Sequence, residues 1–163
     1  MSAQIKLTHT FEAPRELVFQ AFTKSEHLQN WWGPKGWAFE VLQADFRPGG
    51  VFHYSQKPED GNKMWVKFEY SEIVESEKIV YTSYFSDAEG NKVRAPFDEN
   101  WPMGTLTTLT FTESEGKTIL TVVLAPVSPT EAEDKIFRES KDMVKEGFSG
   151  TFDQLAEYLL KIS

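Results

Sequence analysis

Residues 143–162 read MVKEGFSGTFDQLAEYLLKI. Val144, Phe148, Phe152, Leu155, Leu159 and Ile162 recur in steps of three and four, which places one continuous apolar stripe along one side of a helix. Ser128-Pro129-Thr130 opens the helical run, and at 1.5 Å per residue the run to Ile162 would span roughly 48 Å. That is long for a single domain, so a bend is expected near Ser140. Gly147 and Gly150 lie inside the run, each costing about 1 kcal/mol relative to alanine. Close packing of this helix on a sheet is the favoured reason for them, ahead of a functional bend.

A helix with one apolar stripe needs a surface to cover, and the preceding chain supplies it. From Trp37 to Ala125 strand follows strand. Residues 39–46 are closed by Pro48-Gly49-Gly50, and residues 51–56 by KPEDGNK. In residues 65–74, Val66, Phe68 and Tyr70 fall on one face, with Lys67 and Glu69 on the other. Residues 79–85 follow. Residues 105–112 and 118–125 form a hairpin around Ser114-Glu115-Gly116, with Gly116 free to take positive φ. In that hairpin Leu109 and Phe111 should meet Leu120, Val122 and Leu124 on the core side. At the N-terminus residues 5–11 alternate as a strand. Pro14 suits the first position of a helix over residues 14–22. Thr23 with Glu26 has the spacing of a capping box for a second short helix through Asn30. The order is strand, two short helices, about six more strands, then one long helix. It predicts an α+β layer fold, a curved antiparallel sheet of six to seven strands gripping a C-terminal helix.

The 163 residues amount to about one domain at ~100–200 residues each, so residues 1–163 are read as a single domain. With 25 acidic against 17 basic residues the net charge is −8, which disfavours nucleic acid and anionic membranes as partners. The lack of cysteine removes thiol chemistry and disulfides. His9, His27 and His53 show no metal-ligand spacing, and no phosphate-binding glycine motif occurs, so no metal and no cofactor are expected. The N-terminus carries no secretory pattern and no apolar run is long enough to cross a bilayer, so a soluble, cytoplasmic protein is expected. Aromatic residues make up 14 % of the chain, an excess that points to a wide core or a ring-lined cavity.

A curved sheet wrapped on one helix leaves space between them, and a pocket there is the default site. The expected ligand-binding residues are Trp32, Trp37, Phe52, Tyr54, Phe68, Tyr70, Tyr84, Trp101, Met103, Met143 and Phe148. The long irregular loop of residues 86–104 would cover it. Trp31 is read as a structural plug. Asp45 and Arg47, two apart, are read as an ion pair on one face rather than an anion grip. His53, between Phe52 and Tyr54, and His9, between Thr8 and Thr10, are both read as facing outward. Glu72 is a candidate acid or base only if a bulge turns it inward, with Asp98 or Glu99 as its partner. The acidic segment TEAED is read as compensation of the helix dipole, with a docking face for a basic partner as the rival idea.

Five segments resemble, in order, the family of homologues of the activator of the 90-kDa heat-shock-protein ATPase. They are FEAPRELVFQAFTKSEHLQNWWGPKGW, DFRPGG with Phe52, EYSEI, NWPMGTLTTLTFTESEGKTILTVV and MVKEGFSGTFDQLAEYL. The resemblance spans nearly the whole chain and implies the START-related helix-grip (SRPBCC) fold. Two positions depart from the family pattern: Phe148, where relatives often carry Trp after the helix glycine, and Phe68, where many have Gly. The resemblance implies binding of a small hydrophobic ligand, and together with the aromatic excess and the two glycines of the last helix it makes a ring-containing ligand the expectation. It implies two alternatives, a co-chaperone-like partner of the chaperone ATPase and a cyclase-like enzyme on a polyketide or aromatic substrate. A binding role is expected ahead of catalysis. A monomer or weak homodimer is expected, pairing through an exposed strand at Ile5 or Val51.

Overall fold

The computed structural model describes residues 3–33 and 36–162. Strand β1 (Ile5–Phe11) leads to helices α1 (Arg15–Thr23) and α2 (Ser25–Leu28). Strands β2 (Ala38–Ala44), β3 (Val51–Lys57), β4 (Met64–Val74), β5 (Lys78–Ser86), β6 (Thr105–Ser114) and β7 (Lys117–Pro126) follow. Helices α3 (Glu131–Glu139) and α4 (Lys141–Ile162) end the chain. The seven strands form one antiparallel sheet in the order β1-β7-β6-β5-β4-β3-β2. Its inner face packs on α4, with α1 against β6 and β7. This is the α+β helix-grip architecture expected from the patterning.

The β6–β7 hairpin pairs Leu109 with Val122 and Phe111 with Leu120, and all four side chains are buried. Its turn takes positive φ at both Glu115 (54°) and Gly116 (77°), the twist that a two-residue hairpin requires. Pro48-Gly49-Gly50 forms a tight return. The Gly49 N–H donates to the Tyr70 carbonyl at 2.8 Å, and a side chain at Gly50 would run into the Asp45 carbonyl. Arg47 Nε lies 2.8 Å from Asp45 Oδ2, with Arg47 largely and Asp45 partly exposed, so the pair is a surface ion pair as read.

Helix signals were partly misplaced. Pro14 is the N-cap of α1, with ψ of 151°, rather than its first helical residue. The Thr23–Glu26 capping box does not form, because the Thr23 hydroxyl instead donates to the Phe19 carbonyl. A capping box does form at α3. The Glu133 N–H donates to Thr130 Oγ1 at 3.1 Å, and Glu133 Oε1 accepts from the Thr130 N–H at 3.0 Å. Two of the acidic residues in TEAED therefore have structural work: Glu133 in this box, and Asp134 accepting from the Ala3 N–H. The bend falls at Ser140, whose hydroxyl donates to the Ile136 carbonyl.

Three further expectations are corrected. Gly147 and Gly150 do not serve close packing, since a Cβ built on either meets no atom within 4 Å. His9 shares the inner face of β1 with Ile5, Leu7 and Phe11, because all four are odd-numbered on one strand. Its ring lies 4.5 Å from that of Phe11 and 5.7 Å from that of Phe152. Burial there holds its pKa below the ordinary value. The sheet edges are β1 and β2, so the Ile5 strand is an edge while the Val51 strand lies inside the sheet.

Candidate functional site

Over its C-terminal half α4 closes on the sheet through Phe152, Leu155 and Leu159, all buried. Phe152 meets Phe11 and Phe22 edge-on. Over its N-terminal half Val144 and Phe148 stand off, and a cavity of about 340 Å³ opens between helix and sheet. Strands β3, β4 and β5 supply its inner wall. Register places Tyr54 opposite Val66 and Phe68 opposite Ser83, so all four share the inward face. The Phe68 ring stacks on that of Tyr81 at 4.1 Å and 18°. Trp32 stands edge-on to Phe68 at 5.8 Å. It is placed by the loop after α2, which α4 holds through Gln154 Nε2 donating to the Gly33 carbonyl at 2.8 Å.

The loop between β5 and β6 lines the cavity through Phe97, Trp101, Pro102 and Met103. A chain of edge contacts runs Phe85–Phe97–Trp101, and a tilted contact continues it to Phe137 of α3. Arg94 anchors this loop. Its Nη1 donates to the Trp101 carbonyl at 3.2 Å and pairs with Glu133. That pairing and the Thr130 N–H hold the Glu133 carboxyl below the usual range. Burial raises the Tyr54 and Tyr81 hydroxyls far above the ordinary phenol value, so both stay protonated and neutral.

Of the residues expected at the site, Trp32, Tyr54, Phe68, Trp101, Met103 and Phe148 line the cavity. Tyr84 borders it, but pairs with Lys67 on the convex face of the sheet, where Lys92 Nζ sits 4.0 Å from its ring centroid. Four residues lie elsewhere. Phe52 faces inward but is fully buried among Phe39, Phe46 and Tyr54. Tyr70 borders a small packing void with Phe22 and Ile79. Trp37 is half-buried ahead of β2, outside the lining. Met143, one step off the helix stripe, is 60 % exposed. Patterning missed Tyr81, Phe137 and the inward hydroxyls Ser83, Thr105 and Thr107, all of which line the cavity. Strand parity carried the signal: Leu109 and Phe111 inward requires Thr105 and Thr107 inward as well.

Trp31 is the buried plug expected, its indole N–H donating to the Ala21 carbonyl at 3.1 Å. The acid–base candidates do not reach the cavity. β4 has its bulge between Tyr70 and Glu72, yet Glu72 is half-exposed and paired with Lys78. Asp98 accepts from the Asn100 N–H at the surface. His53 does lie on the sheet's outer face, but it is not exposed. It is buried beneath residues 86–90, with Nε2 3.0 Å from Ser86 Oγ. Burial lowers its pKa, with the Asp87 carbonyl opposing. Among the described residues no cluster of His, Cys, Asp or Glu has metal-binding geometry, and no helix is long and apolar enough to cross a membrane.

A set of solved structures shares this architecture. Protein Ms6760 from Mycobacterium smegmatis is 27 % identical, with a TM-score of 0.78 over 97 % of this chain and 91 % of its own. A protein from Staphylococcus epidermidis is 28 % identical, with a TM-score of 0.80 over 100 % of this chain and 93 % of its own. The AHSA1 protein from Silicibacter pomeroyi, at 17 % identity, shares the fold with a TM-score of 0.75, covering 99 % of this chain and 100 % of its own. No curated protein sequence matches the chain. The profile of the family described as "Activator of Hsp90 ATPase homolog 1-like protein" matches residues 12–160, and the chain belongs to that family.

Proposed function

We propose that the chain binds a small apolar, ring-containing ligand in the cavity between the sheet and the N-terminal half of α4. The observation that carries this is the separation of α4 from the sheet at Val144 and Phe148, with rings from four different parts of the chain walling the space. At about 340 Å³ the cavity falls at the lower end of small-molecule sites, ~300–1,000 Å³. SRPBCC families commonly bind hydrophobic ligands, which agrees with this reading. Trp32, Tyr54, Phe68, Trp101, Met103 and Phe148 are the proposed contacts, with Tyr81 and Phe137 added. The cyclase-like alternative loses the groups it invoked, since Glu72, Asp45 and His53 all lie outside the cavity. A co-chaperone role rests on the family likeness alone, and an unchanged chaperone ATPase rate on adding the chain would count against it.

The test is a titration of tryptophan fluorescence with naphthalene, a two-ring apolar probe, because Trp32 and Trp101 both face the cavity. Saturable quenching that disappears in Phe148→Trp, where a larger ring fills the space, is the expected result. No saturable response at the probe's solubility limit would overturn the reading.

A further inference from the structure

Strand β6 changes polarity halfway along its length. In its second half Leu109 and Phe111 face the core and Thr110 faces out. In its first half Thr105 and Thr107 face in, 7 % and 1 % exposed, while Leu106 faces out at 38 %. Exchanging Leu106 with Thr107 would restore an ordinary amphipathic strand. β5 shows the same reversal beside it, with Ser83 inward and the larger Tyr84 outward. Such breaks of the local rule mark functional positions when folding gains nothing from them. Thr107 lies directly across the sheet from Tyr81. Ser83 and Thr105 form the next pair along, directly opposed on β5 and β6, and both line the cavity. Opposed cross-strand residues stand ~5 Å apart at Cβ, close enough for one ligand oxygen to reach both hydroxyls.

We infer that Ser83 and Thr105 are the polar pole of the cavity, and that the ligand is an uncharged ring compound carrying a hydroxyl or carbonyl oxygen that docks there. The inference rests on the cavity reading above. The pole consists of neutral hydroxyls, with Thr107 and the neutral Tyr81 phenol next to them in the cavity wall. It can orient a neutral oxygen, whereas an anion would lose its hydration against groups that carry no charge.

Three shape-matched probes at pH 7 test this: naphthalene, 2-naphthol and 2-naphthoate, followed by tryptophan fluorescence in the full chain. An added hydroxyl left without a partner weakens binding, so the sign of the effect is diagnostic. The wild-type chain is expected to bind 2-naphthol roughly five- to tenfold tighter than naphthalene, the effect of one well-formed hydrogen bond. The Ser83→Ala/Thr105→Val double variant should bring the two within about twofold, by weakening 2-naphthol relative to naphthalene. The substitutions are near-isosteric, and each single variant gives the same reading at reduced size if the double variant does not fold. Equal binding of naphthalene and 2-naphthol to wild type, survival of the preference in the variants, or tightest binding of 2-naphthoate would each overturn the inference while leaving the cavity reading intact. Failure of all three probes would sink the cavity reading, and this inference with it.

Discussion

The two halves of α4 face the same sheet with the same kind of apolar stripe, yet one half seals and the other does not. At the C-terminal half, Phe152, Leu155 and Leu159 are buried against β1 and the helices that follow it, among Phe11, Phe22 and Phe111. At the N-terminal half, Val144 and Phe148 remain only partly covered and the sheet opposite carries Ser83, Thr105 and Thr107. The difference lies in what the sheet presents. Leucines and phenylalanines on β6 and β7 fill the closed end, while hydroxyls and a wide ring wall leave the other end open. A stripe on a helix shows which side is inward. Its partner surface decides whether that side is packed or lines a site.

Removing a ring from each half should separate them most sharply. Phe152→Ala deletes a fully buried ring and should cost about 3–5 kcal/mol in urea unfolding. Phe148→Ala, at the edge of existing space, should cost roughly 1–2 kcal/mol, while its effect on probe binding should be the larger of the two. Equal destabilisation by the two variants would mean that the open end is packed in solution.

The loop over the open end offers a pH test. Glu133 caps α3 and pairs with Arg94, whose other contact is the Trp101 carbonyl. Glu133→Gln keeps the capping geometry and removes the charge. It should cost about 0.5–1 kcal/mol at pH 7, modest because Arg94 is half-exposed and screened. The carboxyl titrates lower in the folded chain than unfolded. Its contribution is therefore complete above the unfolded value near ~4.3 and is lost as pH falls through the lower folded value. Thermal melts should show the gap between wild type and variant closing below about pH 4; a gap that widens there would contradict the pairing.

The smallest effect runs the other way. Gly147→Ala and Gly150→Ala add a methyl where no atom lies within 4 Å. Each should stabilise the helix by up to about 1 kcal/mol and raise Tm by roughly 2–4 °C. A fall in Tm would restore the close-packing explanation.

Most of the fold was legible in the chain, because strand alternation and one helix stripe are local signals. β1 was readable residue for residue from Ile5 to Phe11, and the bend near Ser140 from helix length. The capping boxes were harder. Thr23–Glu26 and Thr130–Glu133 have the same spacing, and only the second meets a chain geometry that closes it. Half of the site was legible, the rings that parity and helix stripe pointed inward. What failed was choosing residues for size instead of for face. Tyr84 only borders the cavity from the opposite face of its strand, while the small Ser83 beside it points inward. Met143 belongs to the helix but not to its stripe. Phe97 sits in a loop without periodicity, and only the folded chain brings it to Trp101.

The central claim is that the open half of α4, and not the closed half, receives a ligand. The most direct measurement is a two-dimensional NMR titration of the labelled chain with 2-naphthol. The account predicts saturable shifts at Trp32, Phe68, Ser83, Thr105 and Phe148, with Leu155 and Leu159 unmoved. Shifts centred on Leu155 and Leu159, or no saturable shift anywhere, would contradict it.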